Sequence, residues 1–146
     1  MSHKITNDCT GCTACVRLCP VNAIRGERGA VHQIDARLCI DCGACGRICA
    51  AAAVLAPDGS PVARIAKRSL WPRPVWQYAR CTACRICVPA CPTGAVRLVQ
   101  AGQSSDGAAP AQPYLAVEKA CIGCSFCASA CPVDVITMIA QTGRND

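Results

Sequence analysis

Sixteen cysteines fall into four groups of identical spacing, and no other feature of the 146 residues constrains the fold as tightly. The groups are Cys9, Cys12, Cys15, Cys19; Cys39, Cys42, Cys45, Cys49; Cys81, Cys84, Cys87, Cys91; and Cys121, Cys124, Cys127, Cys131. Each reads C-x2-C-x2-C-x3-C, and no cysteine is left over. Groups one and two start 30 residues apart, groups three and four 40, and groups two and three 42. An internal repeat of this kind sets the organisation of a chain, here two halves of two groups each.

The remaining residues are poorly suited to building a core alone. Hydrophobic types make up 52% of the chain, but 16 of those residues are Cys and 25 are Ala. Val, Ile and Leu supply 28, and only 2 Trp, 2 Tyr and 1 Phe are present. With so few large side chains, metal centres, disulfides or partner subunits must fill the interior. The sequence shows no apolar run of the roughly 18 residues that span a bilayer. MSHKITNDCTGC has neither the apolar core of a signal peptide nor a twin-arginine pair, so a cytoplasmic location is expected, where thiols stay reduced.

The two halves read alike in local pattern. Strands are predicted at Lys4–Thr6 and 75–78 before the first group of each half, and at 23–24 and 95–99 after it. Returning strands are predicted at 30–34 and 114–117, and last strands at 52–55 and 135–139. The third to fourth cysteine of each group fits a single helical turn. Residues 100–113, QAGQSSDGAAPAQP, read as a polar loop inserted in the second half. Residues 61–74, PVARIAKRSLWPRP, read as a linker with Arg64, Lys67, Arg68 and Arg73 and no acid. A helix over 62–70 would put Arg64, Lys67 and Arg68 on one face, with Pro72 and Pro74 ending it.

This cysteine spacing resembles that of bacterial two-cluster ferredoxins, and the whole chain resembles a tandem polyferredoxin. The likeness covers nearly the whole chain outside the linker and the 100–113 loop. It implies an α+β fold of two tandem ferredoxin-like modules, 1–60 and 75–146, each with pseudo-two-fold symmetry and two [4Fe–4S] clusters. In that family the fourth cysteine of each group is exchanged between clusters. Carried over, cluster 1 takes Cys9, Cys12, Cys15 and Cys49, and cluster 2 takes Cys39, Cys42, Cys45 and Cys19. Cluster 3 takes Cys81, Cys84, Cys87 and Cys131, and cluster 4 takes Cys121, Cys124, Cys127 and Cys91. One departure stands out. Cys19, Cys91 and Cys131 precede proline, whereas Cys49 precedes Ala50, whose N–H either faces a cluster sulfur and raises its potential or points elsewhere.

Other metal and disulfide readings fit less well. Structural zinc favours separated C-x2-C pairs, often with His, and His3 and His32 lie outside the groups, as expected of surface residues. A disulfide framework needs a secreted setting. The chain has no dinucleotide fingerprint, no phosphate loop and no Cys–His pair free for catalysis, so no catalytic site of its own is expected.

The formal charge of +6 would suggest nucleic acid. Residues 1–60 and 75–146 carry +1 each, however, and 61–74 carry +4. An oxidised four-iron cluster with four thiolates adds about −2, so two clusters bring each half to about −3 and leave only the linker positive. Nucleic acid is therefore not expected as a partner, and Arg64, Lys67, Arg68, Trp71 and Arg73 are read as the surface that grips a protein partner. Trp76 and Tyr78 are expected to cover the seam between halves. Arg17, Arg47 and Arg85 either raise cluster potentials or are solvated charges.

The expected function is an electron-transfer subunit, a wire between a catalytic subunit and a flavin/NAD acceptor subunit. The chain resembles the small four-cluster subunits of bacterial tungsten aldehyde oxidoreductases and related molybdenum or formate enzymes, which implies those partners and, further, stacking of copies into a longer wire. A free polyferredoxin shuttle and an iron–sulfur sensor are the alternatives.

Overall fold

Every regular element is short because the cysteine loops leave little chain between them. The computed structural model describes residues 2–100, 102 and 107–141, so the loop expected at 100–113 lies partly outside the described residues. The chain forms two compact units, Met1–Arg68 and Ser69–Asp146.

The first unit runs β1 (Lys4–Ile5), α1 (Ala14–Leu18), β2 (Ile24–Arg25), β3 (Gln33–Ile34), α2 (Ala44–Ile48) and β4 (Val54–Leu55). β1 pairs antiparallel with β4, and β2 with β3. The second unit repeats the order with β5 (Arg73–Trp76), α3 (Cys87–Ala90), β6 (Val96–Leu98), β7 (Pro113–Leu115), α4 (Phe126–Ala130) and β8 (Ile136–Ile139). Here β5 pairs with β8 and β6 with β7, again antiparallel. Within each unit the two helices pack on each other. The fold is thus small and mixed helix/strand, with the ends of the predicted strands and turns displaced by at most three residues, the largest at β3, which starts at Gln33 instead of 30.

Three residues of every cysteine group adopt the left-handed backbone region. Gly11, Asp41, Ala83 and Gly123 precede the second cysteine; Thr13, Gly43, Arg85 and Ser125 follow it; Asn22, Ala52, Gly94 and Asp134 stand third after the fourth. Such turns reverse the chain tightly enough to aim successive cysteines at one point. Eight of these positions are not glycine, and each costs roughly 1–2 kcal/mol of strain. Only a strong shared interaction keeps them there.

The interior is built from small residues and thiols. Ala23, Ala44, Ala53, Ile24 and Val54 are buried in the first unit. The second has a buried cluster of Trp76, Cys87, Val96, Cys127, Val135 and Ile136. Trp76 stacks on Tyr78 at a centroid distance of 6.3 Å, and the Tyr78 hydroxyl donates to the Pro113 carbonyl at 3.0 Å. These two aromatics therefore serve the second unit's own core.

The segment expected to be a basic linker is divided between the units. The N–H of Val62 donates to Val54, and that of Ile65 to Arg47, tying residues 61–65 to the first unit. Arg73 opens β5 in the second. No helix spans 62–70; only a 3-10 turn at Arg68–Leu70 forms, and residues 61–65 run instead along strand β4 and helix α2. Arg64, Lys67 and Arg68 consequently share no helical face. Trp71 is 0% exposed and Arg73 7%, and the Arg73 guanidinium donates to the Cys121 carbonyl at 3.0 Å. Neither offers a partner the face expected of it; Arg64 and Lys67 are exposed.

Gly46 of α2 is what lets 61–65 lie close, since a Cβ there would collide with the Val62 side chain. Gly46→Ala should therefore loosen this segment by about 1–3 kcal/mol, the usual cost of overpacking. Limited trypsin digestion at Arg64 and Lys67 should run at least severalfold faster than in the parent protein. Equal rates would show that Val62 does not anchor the segment.

Candidate metal centres

The four groups do not each surround their own cavity. Cys9, Cys12 and Cys15 line one cavity with Cys49, while Cys39, Cys42 and Cys45 line another with Cys19. In the second unit Cys81, Cys84 and Cys87 line a cavity with Cys131. Cys127 is electrostatically coupled to Cys124, Cys121 and also Cys91, which puts the last set together in the same crossed manner. The three cavities are alike in lining, each walled by four cysteines and apolar side chains, which suits one kind of occupant.

The crossing follows from how each fourth cysteine leaves its helix. Cys19, Cys49, Cys91 and Cys131 cap α1 to α4 in extended conformation. Four residues later a backbone N–H turns back onto the sulfur: Ala23 to Cys19, Ala53 to Cys49 and Ala95 to Cys91 at 3.3 Å, and Val135 to Cys131 at 3.5 Å. The carbonyl of that same residue accepts from a neighbouring strand or strand end. The donors are Asp35 to Ala23, Thr6 to Ala53, Ala116 to Ala95 and Gln77 to Val135, all between 2.7 and 2.9 Å. One residue thus ties the sulfur to the sheet, four times over. At Cys49 the N–H that reaches the sulfur is that of Ala53; Ala50 itself is exposed.

The thiols are held in an environment that disfavours thiolate in the bare chain. Burial, then the charges of Cys12 and Cys9, push Cys15 up from 9.0 to about 11. Burial and Cys42 push Cys45 up to about 12. Cys127 also rises to about 12, chiefly through burial. Burial works upward on Cys91 too, but hydrogen bonds from Thr93, Val96 and Ala95 outweigh it and the net shift is downward. A group that compensates thiolate charge therefore belongs in these sites, and its binding must release protons.

All sixteen cysteines are free. Among the described residues no three Cys, His, Asp or Glu side chains converge as a single ion would require. Four thiolates spread around a cavity fit a polynuclear group, and four cysteines are the ligand set of a [4Fe–4S] cluster. Around the ligands, Arg85 lines the cavity with Cys81, Arg47 favours the Cys42 thiolate, and Arg17 is exposed.

The two histidines depart from expectation. His3 and His32 are 7% and 1% exposed, and each lines a cysteine cavity of the first unit. The signal was present in the sequence, since His3 stands six residues before Cys9 and His32 seven before Cys39. Such near-equal spacing marks equivalent sites of a repeat, whereas two solvated histidines need not be in register.

In the metal-free chain, alkylation at pH 8 should label exposed Cys12 and Cys84 first. Cys15, Cys45 and Cys127 should follow at least about 100-fold more slowly, because the thiolate is the nucleophile. Their rates should climb as pH approaches 11–12. Peptide mass spectrometry reads the order, and uniform labelling at pH 8 would show that the thiols are not buried as described.

The comparisons with known proteins agree with this donor set. The 4Fe-4S dicluster domain matches residues 8–54 and again 80–136, and a second 4Fe-4S dicluster model matches 38–95. Ferredoxin-2 of Chlorobaculum tepidum is 38% identical over 58 residues, covering 40% of this chain and 92% of that ferredoxin. A ferredoxin of Butyribacterium methylotrophicum is 42% identical over 38 residues, covering 26% of this chain and 66% of that protein. Among solved structures, the formate dehydrogenase–heterodisulfide reductase–formylmethanofuran dehydrogenase complex of Methanospirillum hungatei contains a chain 22% identical, with a TM-score of 0.35. That alignment covers 92% of this chain and 53% of the other, so this chain spans about half of its length. Among the described residues no helix is long and apolar enough to cross a membrane. With the dicluster domain matched twice over most of its length, the chain belongs to the 4Fe–4S dicluster ferredoxin family and is an iron–sulfur electron carrier.

Proposed function

We propose that the chain carries four [4Fe–4S] clusters, ligated in the four crossed sets given above, and serves as the wire of an oxidoreductase complex. Its partners on this reading are a catalytic subunit, of the tungsten or molybdenum aldehyde or formate type, and a flavoprotein acceptor, with further copies of itself extending the wire. The supporting observation is that every cysteine falls into a set of four drawn from two groups of one unit. Each such cluster supplies a one-electron couple.

The chain's own residues do the rest. Backbone N–H groups of Ala23, Ala53, Ala95 and Val135 stabilise the charge on the fourth cysteines. Apolar walls such as Ile24, Val54 and Ile136 keep water from the sulfurs. Cys12 and Cys84 are the exposed ligands, one in each unit, so these are the edges at which an electron enters or leaves. Arg64 and Lys67 are the exposed cations through which a carboxylate-bearing partner docks. Two ferredoxin-like modules in tandem suit a relay better than a carrier that meets one partner at a time.

Iron and acid-labile sulfide should both analyse at about sixteen per chain, as the ligand count requires. Pulling down the tagged chain from its native cell should bring a pterin-metal subunit and a flavoprotein with it. Recovery of the chain alone would favour the diffusing shuttle. Reversing the charges of Arg64 and Lys67 should reduce co-purification severalfold at unchanged iron content, and undiminished binding would reject that docking surface.

A further inference from the structure

Four positions of the repeat can be equated through hydrogen bonds alone. Thr6, Asp35, Gln77 and Ala116 are the residues whose N–H groups reach the residue that binds the fourth cysteine of a group. Three residues before them stand His3, His32, Pro74 and Pro113. All four are buried. Pro113 lines the cavity of Cys81, Cys84, Cys87 and Cys131, just as His32 lines that of Cys9, Cys12, Cys15 and Cys49. The second unit closes over the same position with a side chain that has no polar atom, so the fold itself does not call for an imidazole there.

The first unit instead buries two imidazoles, which is costly without polar partners. The Nδ1 of His32 donates to the Ala30 carbonyl at 3.0 Å and lies 3.9 Å from the Cys9 sulfur. Its Nε2 is buried with no protein partner. The absence of a side chain at Gly26 makes room for the ring, since a Cβ there would come within 2.6 Å of it. His3 contacts the Asp41 carboxylate through Nδ1, and its Nε2 lies beside Gly43, between two cysteine ligands of the other cavity.

We infer that His3 and His32 are potential-setting residues, each raising the reduction potential of the first-unit metal site whose cavity it lines. Reduction adds negative charge to a group ringed by thiolates; the His32 Nδ1–H, shared between the Ala30 carbonyl and the more distant Cys9 sulfur, turns its positive end toward that ligand, and the His3 imidazole places a polar, polarisable ring beside Gly43, the residue after Cys42, so that both stabilise the added charge. In the second unit Pro74 and Pro113 supply no such dipole. The proposal rests on the cluster-bearing reading above, and iron content separates the two.

The experiment is a redox titration of the whole iron-loaded chain, followed by electron paramagnetic resonance. His32→Leu and His3→Leu should each move one first-unit couple downward. At a fixed potential the oxidised-to-reduced ratio of that couple should rise about tenfold, which is about 59 mV for one electron. His32→Gln, which restores an N–H, should bring most of the shift back. Full iron and sulfide in all variants with unmoved couples would overturn the proposal while leaving the cluster reading intact. Deficient iron in the unaltered chain would instead overturn that reading. Should the leucine variants lose a cluster, the unaltered protein decides: labelling histidine with 15N should change the nitrogen couplings of the reduced sites, and unchanged couplings would reject the role.

Discussion

Convergence of four sulfurs on one cavity is the interaction on which the rest of this molecule depends. In each unit it overrides local preference, because the left-handed turns at Asp41, Ala83, Thr13, Arg85, Ser125, Asn22, Ala52 and Asp134 would individually relax to ordinary backbone. Summed over both units, that strain is comparable to the whole stability of a typical domain. Apolar burial in so small a chain does not offset it, with seven of the sixteen buried hydrophobic residues being alanine or cysteine among the described residues. Metal–thiolate bonding does, as binding free energy of a site absent from the unfolded chain is folding free energy.

The crossing of the fourth cysteine makes that stabilisation cooperative. Because Cys49 joins the cavity of the first group and Cys19 that of the second, neither site is complete unless both groups have folded. The bond from Ala53 or Ala23 to the sulfur then fixes the sheet, since the same residue holds its partner near β1 or β3. Sulfur, helix exit and strand pairing are thus one unit of structure, which explains how strands of two residues persist. Strands that short have no independent stability.

The repeat made most of this legible from the sequence. Spacing located the four short helices and the pairing of groups into halves, and the apolar and β-branched stretches flanking each group located the eight strands. The ends of the halves were harder. A helix over 62–70 would have put Arg64, Lys67 and Arg68 on one face, but strand β4 and helix α2 capture the backbone of 61–65, and tertiary pairing outweighs the weak propensity of nine residues. Trp71 and Arg73 looked like anchors by composition, and composition does not show which side of a residue faces inward. Arg73 offsets part of the cost of its burial by donating a hydrogen bond to the Cys121 carbonyl.

His3 and His32 show where reading by residue type failed and reading by position succeeds. Taken singly, a lone histidine is usually a surface residue. Taken as equivalent sites of a repeat, the two histidines stand at one position of the fold, buried beside a cysteine cavity, where the other unit has proline at both. The cysteines and the turns are kept alike in all four groups because each site must hold the same kind of group. Of the places at which the units differ, His3, His32 and Pro113 adjoin the cavities without contributing a ligand to the cysteine sets, and Pro74 is buried at the equivalent position. On the proposed reading the duplication separates two tasks: the repeated residues build the sites, and the unrepeated ones make their potentials unequal.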